Sequence, residues 1–277
     1  MRNARLLAIL LVAATVLVDL VAVSAVAGSH GFPPEWPHPA LVVLVALAMS
    51  QVSLAAIWMG WGRTWLSWRT LILVLTIVVW SRLFECSVAP EELDDIATIY
   101  GLLLSAQCIG VLLPSCLARR AGIKLIQDGD VKQAREPDRV RRQWQFSLGY
   151  LLSWITVVAV SLGALLHAFD YRVVWRASTL LSPRSAVSPL AHAALALAAL
   201  WTALGTGRPR LRGVALSLTT VGAIAAVHTL VEPSGGGRAY AAVCVLQVVW
   251  LLASLWVVRV AGYRIVRERR ASLPDRS

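Results

Sequence analysis

Charged side chains are scarce in this sequence, at 15% of 277 residues, where a soluble domain carries roughly 25%. Acids are scarcer still, with 15 Asp and Glu against 26 Lys and Arg. So few polar groups cannot form the solvated faces of a soluble fold, and the apolar stretches run on with little between them. Cysteine is equally sparse. Cys86, Cys108, Cys116 and Cys244 form no close-spaced pair, which removes the usual zinc and dithiol signatures. The sequence also has no Gly-rich phosphate loop, no His-Glu-x-x-His and no Gly-x-Ser-x-Gly. The sequence therefore offers no motif that names phosphoryl transfer, zinc-dependent hydrolysis or serine acyl transfer. The basic stretches lack interleaved aromatics, so no nucleic-acid partner is expected. No catalytic residue, metal ligand or cofactor is assigned, and no protein partner or small-molecule substrate can be named.

What is present is apolar. Hydrophobic residues make up 58% of the chain and the mean hydropathy is +0.68. Eight runs are long enough to cross a bilayer: Leu6 to Ala27, Ala40 to Gly60, Thr70 to Ala89, Ile96 to Ala118, Phe146 to Ala168, Pro189 to Gly205, Gly213 to Val231 and Ala239 to Ala261. Each is near the ~20 residues that span about 30 Å of hydrocarbon. The expected fold is all-α, a polytopic membrane protein with the lipid bilayer as its surroundings. Many of the 12 Trp sit near span ends, where amphipathic rings favour the headgroup layer. The first run, with Arg2, Arg5 and Ala25-Val26-Ala27, also fits a cleavable signal peptide. Its alignment with the internal fifth run favours a retained span.

Lys and Arg are unevenly divided. The N-terminus, the second, fourth and sixth connections and the C-terminal tail hold 21 of the 26, and the opposite side holds Arg82, Arg172, Arg176, Arg184 and Arg238. The positive-inside bias then puts both termini in the cytoplasm. Residues 128–145 read as a charged cytoplasmic linker between a first membrane unit, 1–127, and a second, 146–277.

Those two units resemble each other. Arg119-Arg120-Ala121-Gly122-Ile123-Lys124-Leu125-Ile126 returns as Arg259-Val260-Ala261-Gly262-Tyr263-Arg264-Ile265-Val266. At a spacing of 143, Trp58, Gly62, Arg69 and Thr76 meet Trp201, Gly205, Arg212 and Thr219. At a spacing of 140, Tyr100, Gln107, Arg119 and Gly122 meet Tyr240, Gln247, Arg259 and Gly262. Four spans per unit is an even number, so the expected arrangement is two parallel four-helix repeats about an axis along the membrane normal. Gly122 and Gly262 are expected to end their helices in the left-handed conformation.

Polar groups inside the spans are the candidate site: Asp19, Gln107, His192, His228, Glu232 and Gln247. Charge and amide groups in hydrocarbon are costly and call for partners or a role. Gln107 and Gln247 stand mid-span at matching places, and read first as helix–helix clamps, second as the lining of a pathway. All five His fall toward the extracytoplasmic side in this topology. His228 and Glu232 share a helix face, and with Glu85, His192 and Asp19 they form a candidate cation or proton site.

Arg141-Arg142-Gln143-Trp144-Gln145-Phe146-Ser147-Leu148-Gly149-Tyr150-Leu151-Leu152 resembles a span opening of uncharacterised bacterial multi-pass membrane proteins, in which a basic cluster precedes Phe-Ser-Leu-x-x-Leu-Leu. The commoner form has a basic residue where this chain has Gly149. The resemblance implies a bacterial inner-membrane protein and carries no activity. The expected function is a transporter or channel-like module with a polar pathway at the repeat interface. The alternative is a non-catalytic membrane scaffold or assembly subunit, and behind it a metal protein or enzyme with an outer-face site.

Overall fold

A computed structural model of the full chain describes residues 39–61, 66–87, 96–127, 187–206, 208–230 and 237–267, with Ser24 alone ahead of them. The elements are α1 (Pro39–Trp61), α2 (Leu66–Ser87), α3 (Ile96–Arg120), β1 (Ile123–Gln127), α4 (Val187–Leu204), α5 (Pro209–Leu230), α6 (Gly237–Val260) and β2 (Tyr263–Arg267). All six helices are long and apolar enough to cross a membrane. They coincide, within a few residues at each end, with six of the eight expected spans. Leu6 to Ala27 (Ser24 apart), Phe146 to Ala168 and the linker 128–145 lie outside the described residues.

Local chemistry explains the elements. α1 and α5 open on Pro39 and Pro209, and proline is at home in the first helical turn, where its missing N–H would have no partner. Within the helices, hydroxyls bond back to their own turn: Ser50 to the Ala46 carbonyl at 2.6 Å, Ser81 to Ile77 at 2.8 Å, Ser115 to Val111 at 2.8 Å and Thr219 to Ala215 at 2.8 Å. A polar side chain can then sit in hydrocarbon without an orphaned group. α3 and α6 end as the sequence predicts. Gly122 and Gly262 have φ of 81° and 89°, and their N–H groups donate to the carbonyls of Arg119 and Arg259.

Beyond each glycine the structure departs from the sequence expectation. The expected fold is all-α, yet Ile123–Gln127 and Tyr263–Arg267 pair as an antiparallel ribbon. Its register is Ile123 with Arg267, Lys124 with Val266, Leu125 with Ile265, Ile126 with Arg264 and Gln127 with Tyr263. The short runs carry β-branched and aromatic residues suited to a strand, Ile123, Ile126, Tyr263, Ile265 and Val266, but each finds its partner only across the molecule. Leu125 and Ile265 share one face of the ribbon and pack against the main core.

α1 lies against α2, α3 and α6, and α4 lies against α5, α6 and α3. α1 and α4 therefore stand at the centre, α3 and α6 flank them, and α2 and α5 are outermost. The seam between the N-terminal and C-terminal helices is made by α1 on α6 and α3 on α4. One contiguous apolar core crosses it, running from Leu44, Val52 and Ala56 through Leu104 and Val111 to Ala196, Ala199, Leu251 and Leu255. At the α3–α4 crossing a Cβ added to Gly110 would stand 2.8 Å from the Ala193 Cβ, so glycine sets how closely those backbones approach. Outward faces carry Leu71, Leu75, Val79, Leu218, Val221 and Val249, all exposed, as lipid-facing positions should be.

Candidate functional site

Two kinds of polar construction lie among the apolar helices: arginines at one end of the bundle, and amides with a histidine in its middle. The arginines serve helix ends. The last carbonyls of a helix have no partner within it, and α1 and α4 receive theirs from neighbouring helices. Arg69 donates through Nη1 to the Met59 carbonyl at 2.6 Å, and Arg119 to Gly60 at 3.3 Å. In the second set, Arg212 donates to the Thr202 carbonyl at 3.0 Å and also to Gly205, and Arg259 donates to Ala203 at 2.5 Å. Each guanidinium also places positive charge at the negative pole of the helix it caps. Arg69 and Arg212 are buried. The sequence signals them only as matching letters 143 apart, without a role.

The glutamines act as clamps within each set of helices. Gln107 on α3 donates through Nε2 to the Met49 carbonyl of α1 at 2.8 Å and to Ser53 Oγ at 2.7 Å. Gln247 on α6 donates to the His192 carbonyl of α4 at 3.4 Å. Because that carbonyl can only accept, the amide nitrogen faces it and Oε1 faces the imidazole, which bonds it through Nδ1. The proton of His192 is therefore on Nδ1. Both glutamines are wholly buried and His192 nearly so. The Tyr240 ring meets the His192 ring edge-on at 5.3 Å. The matching Tyr100 instead stacks on Phe84 at 4.2 Å. The second set of helices thus carries a histidine–amide–tyrosine group where the first carries Met49, Gln107 and a stacked aromatic pair.

Of the expected site residues, His192 and Gln247 come together, and Gln107 stands apart from them in its own set. His228 is exposed near the end of α5. Asp19 and Glu232, and the side chain of Glu85, lie outside the described residues. Among the described residues no three His, Cys, Asp or Glu gather as metal ligands. The sequence groups His192 with outer-face acids, but its partner is an amide on α6. Periodicity alone could not show this, since the two residues are 55 apart in sequence.

A groove of about 500 Å³ opens between the ends of α4 and α6, lined by Thr202, Ala203, Leu252, Ala253, Trp256 and Arg259. It is apolar along α6 and basic at its end. The chain matches no family model, no curated protein and no solved structure.

Proposed function

We propose that the chain is an integral membrane scaffold built from two copies of one four-span unit, 1–127 and 146–277, joined by the charged segment 128–145. Several contacts support the duplication by recurring at the sequence spacings: Arg69 on Met59 and Arg212 on Thr202, Arg119 on Gly60 and Arg259 on Ala203, Gln107 on Met49 and Gln247 on His192. The ribbon supports it independently. Leu125 pairs with Ile265, its own counterpart, so exchanging the strands leaves the register unchanged. A twofold axis through an antiparallel pair stands perpendicular to the ribbon, which under this reading lies flat across the inner ends of the helices.

The scaffold role is carried by the continuous apolar core across the seam. A pathway along the axis would need polar groups there, and both glutamines are instead buried and bonded within their own sets. The orientation follows from charge. Arg119, Arg120, Lys124, Arg208, Arg210 and Arg264 stand at the end that bears the ribbon, and Arg82 and Arg238 at the other. That distribution favours the ribbon end in the cytoplasm, with both termini, and the Arg141 to Leu152 resemblance favours a bacterial inner membrane.

A transporter is the second reading, and the buried His192–Gln247 pair is the observation that favours it. Labelling separates the two. In a variant freed of native cysteines, Ser53→Cys and Ala196→Cys should resist a membrane-impermeant thiol reagent from both sides, and reconstituted vesicles should leak small ions no faster than empty ones. Labelling at either position, or flux above the empty vesicles, would overturn the scaffold in favour of a conduit.

A further inference from the structure

We propose that the groove between α4 and α6 is a binding site for one anionic phospholipid, with an acyl chain against Leu252, Ala253 and Trp256 and the phosphate on Arg259. The site needs only the membrane embedding of the helices, and neither the duplication nor the scaffold role. Three observations meet there. The groove is an open concavity of about 500 Å³ at which Ala253 and Trp256 are exposed, and its walls along α6 are apolar. At ~1.5 Å per residue, the step from Leu252 to Arg259 runs about 10 Å along the helix, from the hydrocarbon to the headgroup layer. At that level stand Arg259, with Nη1 on the Ala203 carbonyl, and Trp256, exposed as interfacial tryptophans are. A guanidinium has donors enough to keep that carbonyl and take phosphate oxygens as well.

Charge then selects the head. Among the described residues the ribbon end of the bundle has no acid, while Arg208, Arg210 and Arg264 are exposed there beside the groove's own Arg259. A zwitterionic head would bring a choline into that field. A singly anionic head brings only its phosphate, and each cation near a membrane surface favours it by about 1 kcal/mol. The corresponding positions in the first unit carry Met59, Gly60, Leu112, Leu113, Cys116 and Arg119. Bulk therefore stands where the second unit has Ala253, and a thiol where it has Trp256, so the groove's shape belongs to the second unit.

The test is native mass spectrometry of the full chain in detergent, titrated with dioleoylphosphatidylglycerol or dioleoylphosphatidylcholine. The wild-type protein should retain one phosphatidylglycerol more readily than phosphatidylcholine by a factor of about five or more, since each nearby cation contributes roughly that factor. Arg259→Gln should lower that preference about fivefold, the share of one cation. Ala253→Leu, which fills the groove and leaves every charge in place, should abolish retention of either lipid at that stoichiometry. Ala253 is exposed, so this variant leaves the core intact and decides the matter if Arg259→Gln fails to fold. Equal retention of the two lipids by the wild-type protein, or undiminished phosphatidylglycerol retention by Ala253→Leu, would overturn the site.

Discussion

Leu125 faces Ile265 at the centre of the β1–β2 ladder, and the two residues are 140 apart, the spacing at which the flanking sequences match. A ribbon formed by two unrelated tails could adopt any of several registers. This one pairs like with like, and both residues turn the same face toward the core. The ribbon therefore ties the C-terminal ends of α3 and α6 together across the molecule, and local sequence alone cannot fix its register.

That register is open to cross-linking. In a variant freed of native cysteines, Lys124→Cys with Val266→Cys and Ile126→Cys with Arg264→Cys should form intramolecular disulfides under mild oxidation, read by mass spectrometry of proteolytic fragments. Facing Cα atoms in an antiparallel pair are ~4.5–5.5 Å apart, within disulfide reach. Lys124→Cys with Arg264→Cys is a diagonal pair, roughly 7–8 Å apart, and should stay reduced. Efficient bridging of the diagonal pair in preference to the facing ones would mean the ribbon has slipped.

The arginine caps give a second prediction. Arg69→Gln and Arg212→Gln each leave a helix-end carbonyl without its charged donor in a region shielded from water. A hydrogen bond to a charged group contributes about 1.5–3 kcal/mol. Each variant should lose stability of that order in thermal or detergent-induced unfolding, and the Arg→Lys variants less. A change within error of wild type at both positions would mean that the carbonyls are served by something else.

Glycines should divide by environment. Gly122 and Gly262 sit at positive φ, where a Cβ is strained, so Ala at either should cost about 1 kcal/mol. Gly213 and Gly222 lie within α5, and a Cβ at either would meet open space. There Ala should stabilise the helix by about 0.5–1 kcal/mol. Melting temperatures of the four single variants in one detergent check the sign, and a stabilising Gly262→Ala would contradict the helix-end geometry.

How far the sequence leads depends on whether the signal is local. Span positions are legible because hydrocarbon demands an uninterrupted apolar run, and the left-handed glycines are legible because each sits between a closing apolar run and basic residues. The ribbon is not, since Ile123 to Gln127 is too short to declare itself and its partner lies far along the chain. The glutamine clamps are half legible. Their mid-span polarity forces a partner, but which one depends on helix rotation, so the sequence places His192 with outer acids instead of with Gln247. Arg69 and Arg212 are visible as a repeated letter, and their task emerges only where Met59 and Thr202 end beside them in the fold.

The difference between the two clamps yields the sharpest prediction. Gln107 Oε1 takes no hydrogen bond among the described residues, whereas Gln247 Oε1 accepts from His192. Gln107→Leu therefore removes two donated bonds, and Ser53 still bonds the Met49 carbonyl at 2.8 Å. Interhelical bonds in membranes average ~0.6 kcal/mol, so the loss should be about 1 kcal/mol. Gln247→Leu strands a buried imidazole N–H, which costs about 1–3 kcal/mol. Replacing His192 with Met, the residue 143 positions earlier in the sequence, removes that stranded group. The double variant His192→Met, Gln247→Leu should then be more stable than Gln247→Leu alone, giving a coupling of about 1 kcal/mol or more in a double-mutant cycle. Strict additivity of the two changes would show that the imidazole and the amide do not depend on each other, and the pair would lose its claim to be the polar centre of α4, α5 and α6.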